Sequence, residues 1–134
     1  MLNIALMGAG RIGKMHAKNI ALHPMCNLSY VFDINQEFAS QIAQSTKAKI
    51  TKSPDEAINN NDVDVVFIAS ATPTHVDFII KGAKAGKAIF CEKPIDLNIE
   101  KVDQCYETIK NCDVPIQIGF NRRFDNSHRK VKLA

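Results

Sequence analysis

Residues 6–16 read LMGAGRIGKMH, a stretch in which three glycines separate an apolar run from a lysine. Loops of this kind bind phosphate groups in two different classes of protein. The spacing of Gly8, Gly13 and Lys14 comes close to the G-x-x-x-x-G-K-[ST] loop of nucleoside triphosphatases. The last position of that motif is Met15, whose thioether cannot replace the hydroxyl that ligates magnesium. The stretch therefore argues against a triphosphatase.

The same loop matches the dinucleotide-binding pattern G-x-G-x-x-G at every position. The apolar run 2–7 predicts a strand before the loop, and the periodicity of 11–22 predicts a helix after it. The first glycine permits a tight turn, the second lets the backbone approach a pyrophosphate, and the third lets the helix pack closely on the sheet. Free N–H groups at the helix start would then bind the pyrophosphate. The predicted cofactor contacts of this loop are Gly8, Gly10, Arg11, Ile12 and Gly13.

Asp33 follows the second predicted strand, residues 27–32, and lies about 20 positions after Gly13, the separation that the dinucleotide motif requires. Its carboxylate can accept hydrogen bonds from ribose hydroxyls and would repel a 2′-phosphate. No arginine follows it in DINQ, residues 33–36, so the sequence favours NAD over NADP. Ile34 is included among the predicted cofactor contacts because it directly follows the acid.

An acid at the end of the second strand also fits an S-adenosylmethionine-dependent methyltransferase, which is an alternative from a different class. Such sites usually carry another acid two residues before the first glycine. Leu6 occupies that position here, so this alternative ranks below the dinucleotide interpretation.

Strand-like and helix-like segments alternate along the whole chain. The predicted strands are residues 2–7, 27–32, 48–51, 63–69, 87–92 and 114–120. They are continuously apolar, which is typical of a parallel sheet covered by helices on both faces. Six is also the number of strands in a dinucleotide-binding doubly wound sheet. The sequence therefore predicts an α/β fold, with a single Rossmann domain over residues 1–120.

Local signals predict two further helix starts. Residues 53–56, Ser-Pro-Asp-Glu, form a capping-box pattern with proline at the first helical position. Thr72 is predicted to cap the next helix, which Pro73 opens and Gly86 ends. His75 is more typical of a histidine at a helix start than of a catalyst.

The stretch IFCEKPIDL, residues 89–97, places charge at the carboxyl end of an apolar strand. In a doubly wound sheet this is the edge at which ligands bind. One interpretation is that Glu92 and Lys93 form a solvent-exposed charge pair with no functional role. Pro94, however, restricts the backbone of Lys93 to an extended conformation, so the lysine is predicted to face the cleft.

Composition excludes several functions. The net charge of +3 is small, and no basic stripe interleaved with aromatic residues predicts nucleic-acid binding. Four cysteines, at positions 26, 91, 105 and 112, include no C-x-x-C pair, so no metal site is predicted and free thiols in a reducing cytoplasm are expected. No apolar window is long enough to span a membrane, and the N-terminus does not resemble a secretory signal.

These motifs together resemble the N-terminal, NAD-binding half of the Gfo/Idh/MocA oxidoreductase family. The resemblance rests on GAGRIG at residues 8–13, on Asp33, on the T-P-T-H loop at residues 72–75 and above all on C-E-K-P at residues 91–94. The stretch VPIQIGFNRRFD, residues 114–125, is similar to the inositol 2-dehydrogenase branch of that family. The resemblance covers essentially the whole chain.

The resemblance implies a role for each matching residue. Lys93 would be the catalytic lysine that holds and polarises the reacting hydroxyl, where an ammonium suits developing negative charge. Glu92 would orient neighbouring groups. The remaining implied cofactor contacts are Ala71, Thr72, Pro73, His75, Glu92, Lys93, Asn121 and Arg122. The implied reaction is oxidation of a secondary alcohol on a polyol or sugar, with hydride passing to NAD.

The family's proton-transfer aspartate and histidine lie in a second, α+β substrate domain that has no counterpart in this chain. Residues 121–134 are expected to begin the connection to that domain, and His128 does not match the missing histidine. The chain alone is therefore expected to bind NAD with little turnover. Surface left uncovered predicts self-association into a homo-oligomer. A standalone NAD-sensing or scaffold module remains the alternative.

Overall fold

The computed structural model describes residues 1–133, so Ala134, the last residue of the expected connection, lies outside the described part. The strands are β1 (Leu2–Met7), β2 (Cys26–Phe32), β3 (Lys49–Ile50), β4 (Val65–Ile68), β5 (Ala88–Cys91) and β6 (Ile116–Ile118). The helices are α1 (Arg11–Leu22), α2 (Gln36–Thr46), α3 (Pro54–Ile58), α4 (His75–Lys84), α5 (Ile99–Ile109) and α6 (Asn126–Leu133). Two 3-10 turns span Thr72–Thr74 and Asn121–Phe124.

The six strands form one parallel sheet in the order β3-β2-β1-β4-β5-β6. This is the doubly wound dinucleotide-binding order, so the predicted fold class is confirmed. Met7 pairs with both Phe32 and Ile68, and Cys91 pairs with both Ile68 and Ile118. The carboxyl ends of five strands therefore finish in line, and the loops after them meet at one edge.

Two apolar layers pack on the two faces of the sheet. Residues of α1 and α2, including Ala17 and Ile42, cover one face. Residues of α3, α4 and α5, including Phe78 and Cys105, cover the other. Continuous apolar strands are needed because the central strands are buried from both sides.

The edge strands differ from the prediction that both faces are covered. Ile50 in β3 and Ile116 in β6 remain 42% and 39% exposed. Both strands are also shorter than their apolar sequence suggests. The physical reason is position, since an edge strand pairs on one side only and has fewer neighbours to pack against.

Two predicted helix caps are wrong in detail. The Ser53 side chain makes no capping bond; the Thr51 hydroxyl oxygen instead lies 2.6 Å from Glu56 Oε2 and 2.7 Å from the Ser53 carbonyl oxygen, and its one hydrogen is shared between these acceptors. Thr72 begins a 3-10 turn rather than capping α4, which starts at His75. Helix α3 nevertheless starts at Pro54 with Ser53 at the N-cap position, as predicted, so only the start of α4 has moved. Gly86 adopts the predicted left-handed conformation, with φ of +71°.

Candidate functional site

The loop after β1 requires glycine for steric reasons that the structure shows directly. Gly8 has φ of +102°, and a Cβ there would lie 2.5 Å from the backbone nitrogen of Ser70. A Cβ on Gly13 would lie 2.0 Å from the Gly8 carbonyl oxygen. At Gly10 nothing lies within 4 Å of the equivalent position. Two glycines therefore close the loop, and the third leaves space above it.

The start of α1 is free to bind an anion. Gly10 is the N-cap and has no side chain to satisfy the first N–H groups, and no acidic residue occupies the first turn. No side chain of the helix itself therefore compensates the positive end of its dipole, which faces the loop. Arg11 is exposed at this position, whereas Ile12 packs partly against the core.

Asp33 connects the ends of β1 and β2. Its Oδ2 accepts a hydrogen bond from the Ala9 backbone N–H at 2.6 Å, and its Oδ1 accepts one from the Asn35 N–H at 2.8 Å. Each carboxylate oxygen has a further lone pair available for a ligand. The predicted ribose-binding acid therefore also fixes the glycine loop, a role that the sequence did not reveal.

A cavity of about 650 Å³ opens beside this loop. It includes seven of the predicted cofactor residues: Gly8, Gly10, Arg11, Ile12, Asp33, Ile34 and Ala71. It also includes residues that the prediction missed: Phe32, Asn35, Phe38, Pro54, Ala69, Ser70, Thr74, Asp77, Phe78 and Lys81. Thr74, just before α4, and Phe78 and Lys81 within it recur at helical spacing, a periodicity from which they could have been found.

The other predicted residues of the T-P-T-H loop lie outside the cavity wall. Thr72 and Pro73 form the 3-10 turn that precedes α4. His75 is only 2% exposed, and its Nδ1 and Nε2 lie 2.8 Å and 3.0 Å from the carbonyl oxygens of Pro94 and Ser70. The histidine thus joins the loop after β4 to the loop after β5.

Glu92 and Lys93 follow β5 at the same edge. The Glu92 N–H donates to the Ile68 carbonyl at 2.9 Å, which keeps the backbone in the sheet. The Lys93-Pro94 peptide bond is cis. Within residues 1–133 the Lys93 ammonium forms no hydrogen bond or ion pair, and the side chain is exposed.

The predicted residues Asn121 and Arg122 lie in the exposed 3-10 turn after β6. The Gly119 N–H donates to the Cys91 carbonyl at 2.8 Å, which brings this segment beside the end of β5. The turn is therefore next to the loop of Lys93 and away from the cavity of Asp33.

His128 takes no part in this edge cluster; its Nδ1 lies 3.0 Å from Asp125 Oδ1 at the start of α6. The His128 backbone N–H is the main group that lowers the pKa of Asp125.

The cysteines lie apart from the residues of the cavity. Burial raises the pKa of the Cys91 thiol to about 12, which leaves it protonated and unreactive. All four thiols are free. Residues 1–133 contain no group of three or more His, Cys, Asp or Glu side chains that could hold a metal ion. Among the helices described, none is long and apolar enough to cross a membrane.

The strand order, the glycine loop and Asp33 define a dinucleotide-binding Rossmann domain. The chain belongs to the Gfo/Idh/MocA oxidoreductase family, because residues 2–120 match that family's NAD-binding Rossmann fold. The match confirms the resemblance and the prediction of NAD as cofactor, and it excludes the methyltransferase alternative.

Relatives in this family include inositol dehydrogenases. The chain is 38% identical over 134 residues to myo-inositol 2-dehydrogenase of Thermotoga maritima and 40% identical over 133 residues to inositol 2-dehydrogenase of Rhizobium meliloti. Each alignment covers 99% of this chain but only 40% of the relative.

Solved structures agree with this result. A myo-inositol dehydrogenase from Corynebacterium glutamicum superposes with a TM-score of 0.90 at 44% identity. A scyllo-inositol dehydrogenase from Lactobacillus casei, solved with NAD(H) and scyllo-inositol, gives 0.91 at 32% identity. In both cases 99% of this chain matches 40% of the other, so the chain spans less than half of these proteins.

Proposed function

We propose that this chain is the NAD-binding half of a dehydrogenase that oxidises a secondary alcohol of a polyol or sugar of the inositol type. The observation that carries the proposal is the single sheet edge at which the glycine loop, Asp33 and the exposed Lys93 come together. The inositol dehydrogenases among the relatives support the substrate class.

The residues of the cavity fit NAD. The open space at Gly10 and the uncapped start of α1 suit a pyrophosphate, which needs both close approach and N–H donors. The free lone pairs of Asp33 suit the ribose hydroxyls, and its charge disfavours a 2′-phosphate. When bound, the nicotinamide ring accepts the hydride that the alcohol carbon loses.

Lys93 would supply the charge that the substrate requires. As the alcohol loses its proton and hydride, negative charge develops on the oxygen, and an ammonium placed there stabilises it. The structure leaves this ammonium without a competing partner among the described residues. Asn121 and Arg122, beside the same loop, would contact the nicotinamide or the substrate.

His75 would stabilise the position of the Lys93 loop relative to the cavity, because its ring joins the Ser70 loop of the cavity to the loop of Lys93. Thr72 and Pro73 complete the turn between these loops. In this proposal residues 121–134 begin the connection to a substrate domain that carries the proton-transfer groups.

The primary experiment is titration of the chain with NADH, followed by nicotinamide fluorescence, and a parallel assay with NAD⁺ and myo-inositol. We expect saturable NADH binding and little oxidation, since loss of a positioned general base costs about 10²–10⁴ in rate. Absence of NADH binding at millimolar concentration would refute the proposal. An ordinary dehydrogenase rate would refute the assignment of the general base to another domain.

Self-association and location are also part of the proposal. Large apolar side chains are exposed at and near the E-K-P edge, which comprises residues 91–95 and 119–124. Leu97 is 85% exposed, Phe120 54% and Phe124 77%. Exposed apolar surface of this kind is typical of an interface. Light scattering should show an oligomer whose population rises with concentration, and a monomer at all concentrations would contradict it.

The proposed location is the cytoplasm, because the four free thiols suit a reducing compartment.

A further inference from the structure

Glu92 is held by a residue that no motif in the sequence pointed to. The His16 Nε2 donates a hydrogen bond to Glu92 Oε1 at 2.8 Å, across a sequence separation of 76 residues. The two side chains are only 16% and 22% exposed. His16 belongs to α1, so the helix that follows the glycine loop also contacts the residue before Lys93.

The His16 ring has a defined position. Its centroid lies 4.6 Å from that of Phe67 and 5.7 Å from that of Phe90, and these two phenyl rings stack on each other at 4.3 Å. Phe67 and Phe90 are paired on β4 and β5. The imidazole therefore rests on the sheet and presents Nε2 to the end of β5.

The second side of the Glu92 carboxylate is also packed. A Cβ on Gly119 would lie 3.3 Å from Glu92 Cδ and 3.3 Å from its Oε2. A side chain at that position would therefore crowd the carboxylate. The end of β6 and the His16 ring thus confine Glu92 between them.

We infer that His16 is a positioning residue, which engages the Glu92 carboxylate and so keeps the neighbouring Lys93 ammonium unpaired. The inference rests on the proposed function for the role of Lys93. Adjacent opposite charges at an exposed strand end attract each other. With Oε1 bonded to His16 and Oε2 beside Gly119, the Glu92 carboxylate is held where it is less able to neutralise Lys93, whose positive charge then remains free for the substrate oxygen.

The experiment measures the rate at which each lysine amine is acetylated, read by peptide mass spectrometry. An ammonium in an ion pair releases its proton less readily and therefore reacts more slowly. His16→Phe keeps an aromatic ring against Phe67 and Phe90 but removes the donor. We expect acetylation of Lys93 to slow about two- to five-fold, the strength of an exposed ion pair, with other lysines unchanged.

Two variants separate this role from a general structural one. His16→Gln retains a side-chain N–H donor and should label Lys93 at the wild-type rate. The double variant His16→Phe/Glu92→Gln should also restore that rate, because a neutral amide cannot pair with the ammonium. An unchanged rate in His16→Phe, or a slow rate that persists in the double variant, would overturn the inference.

A measurement on the unaltered chain does not depend on how the variants fold. A long-range ¹H–¹⁵N spectrum should show His16 protonated at Nε2, as the bond to Glu92 requires; a ring protonated only at Nδ1 would overturn the inference. Failure of the wild-type chain to bind NADH would instead count against the proposed function, so the two failures are distinguishable.

Discussion

The glycine-loop side of the site (residues 7–13 with Asp33) and the E-K-P edge (residues 91–95 with 119–124) belong to the same sheet edge but differ in how they are held. On the glycine-loop side, backbone atoms approach so closely that two positions exclude any Cβ, and the carboxylate of Asp33 bonds to two backbone amides. At the E-K-P edge, Lys93, Phe120 and Phe124 are exposed.

The difference separates two tasks. Binding a dinucleotide needs a rigid, preformed loop, because close backbone contacts leave no room for adjustment. At the E-K-P edge the charged groups must be accessible, so the fold must position them without engaging them in ion pairs. His16 and His75 do this indirectly, since each contacts a chain neighbour of Lys93 rather than Lys93 itself.

Hydrogen exchange should show the largest contrast. α6 packs chiefly against the adjacent 3-10 turn and has no buried residue, whereas β1 pairs on both sides. We expect the amides of α6 to exchange at least about 10³-fold faster than those of β1, because local opening of a helix with no buried residue costs little free energy. Equal protection would mean that the two regions are equally well held.

Gly13→Ala should be the most damaging substitution. Its Cβ would lie 2.0 Å from a backbone carbonyl, so the loop or α1 must move. We expect a loss of about 3 kcal/mol or more in unfolding free energy, measured in urea, together with loss of NADH binding. Gly10→Ala is the matched control: it should keep stability and weaken only NADH, and equal destabilisation by both would contradict the steric account.

Asp33→Ala tests the ribose contact. Removal of charged hydrogen bonds worth about 1.5–3 kcal/mol should weaken NADH by about 10- to 100-fold and reduce the preference over NADPH. Fluorescence titration of both cofactors measures this. Asp62→Ala, at an exposed turn before β4, removes the same charge away from the cavity and should change neither affinity. An unchanged cofactor preference in Asp33→Ala would exclude the ribose role.

Of these four tests, removal of the Lys81–Asp55 ion pair at the cavity wall should have the smallest effect, a small loss in the free energy of unfolding. The atoms lie 2.9 Å apart, but the side chains are 38% and 54% exposed, so a double-mutant cycle should give less than about 0.5 kcal/mol. The hydrogen bond to Asp55 raises the pKa of Lys81 above its ordinary value of 10.5. The stabilisation by the ion pair is therefore fully present just below pH 10.5, and it is lost as the pH rises through the higher pKa that Lys81 has in the folded state. Urea unfolding at pH 8 and pH 11 checks the sign.

Local patterns were sufficient for the glycine-loop side. The glycine spacing, the flanking strand and helix, and the acid after β2 all occur within about 33 consecutive residues, and each has a backbone reason. Apolar runs also located all six strands: burial on both faces explains the signal of the central strands, whereas the edge strands β3 and β6 are shorter and more exposed than their sequences suggest. Helix starts were less predictable: α3 begins at Pro54 as expected but without the Ser53 capping bond, and α4 begins at His75 rather than directly after Thr72.

What the sequence determined by itself is therefore the class of fold and the cofactor loop, since strand periodicity and glycine sterics act between near neighbours in the chain. Only the tertiary structure decided which distant groups meet: Asp33 with Ala9, His75 with Pro94, and His16 with Glu92. Such contacts depend on strand order and on the direction in which each side chain leaves its helix, and no local pattern encodes either.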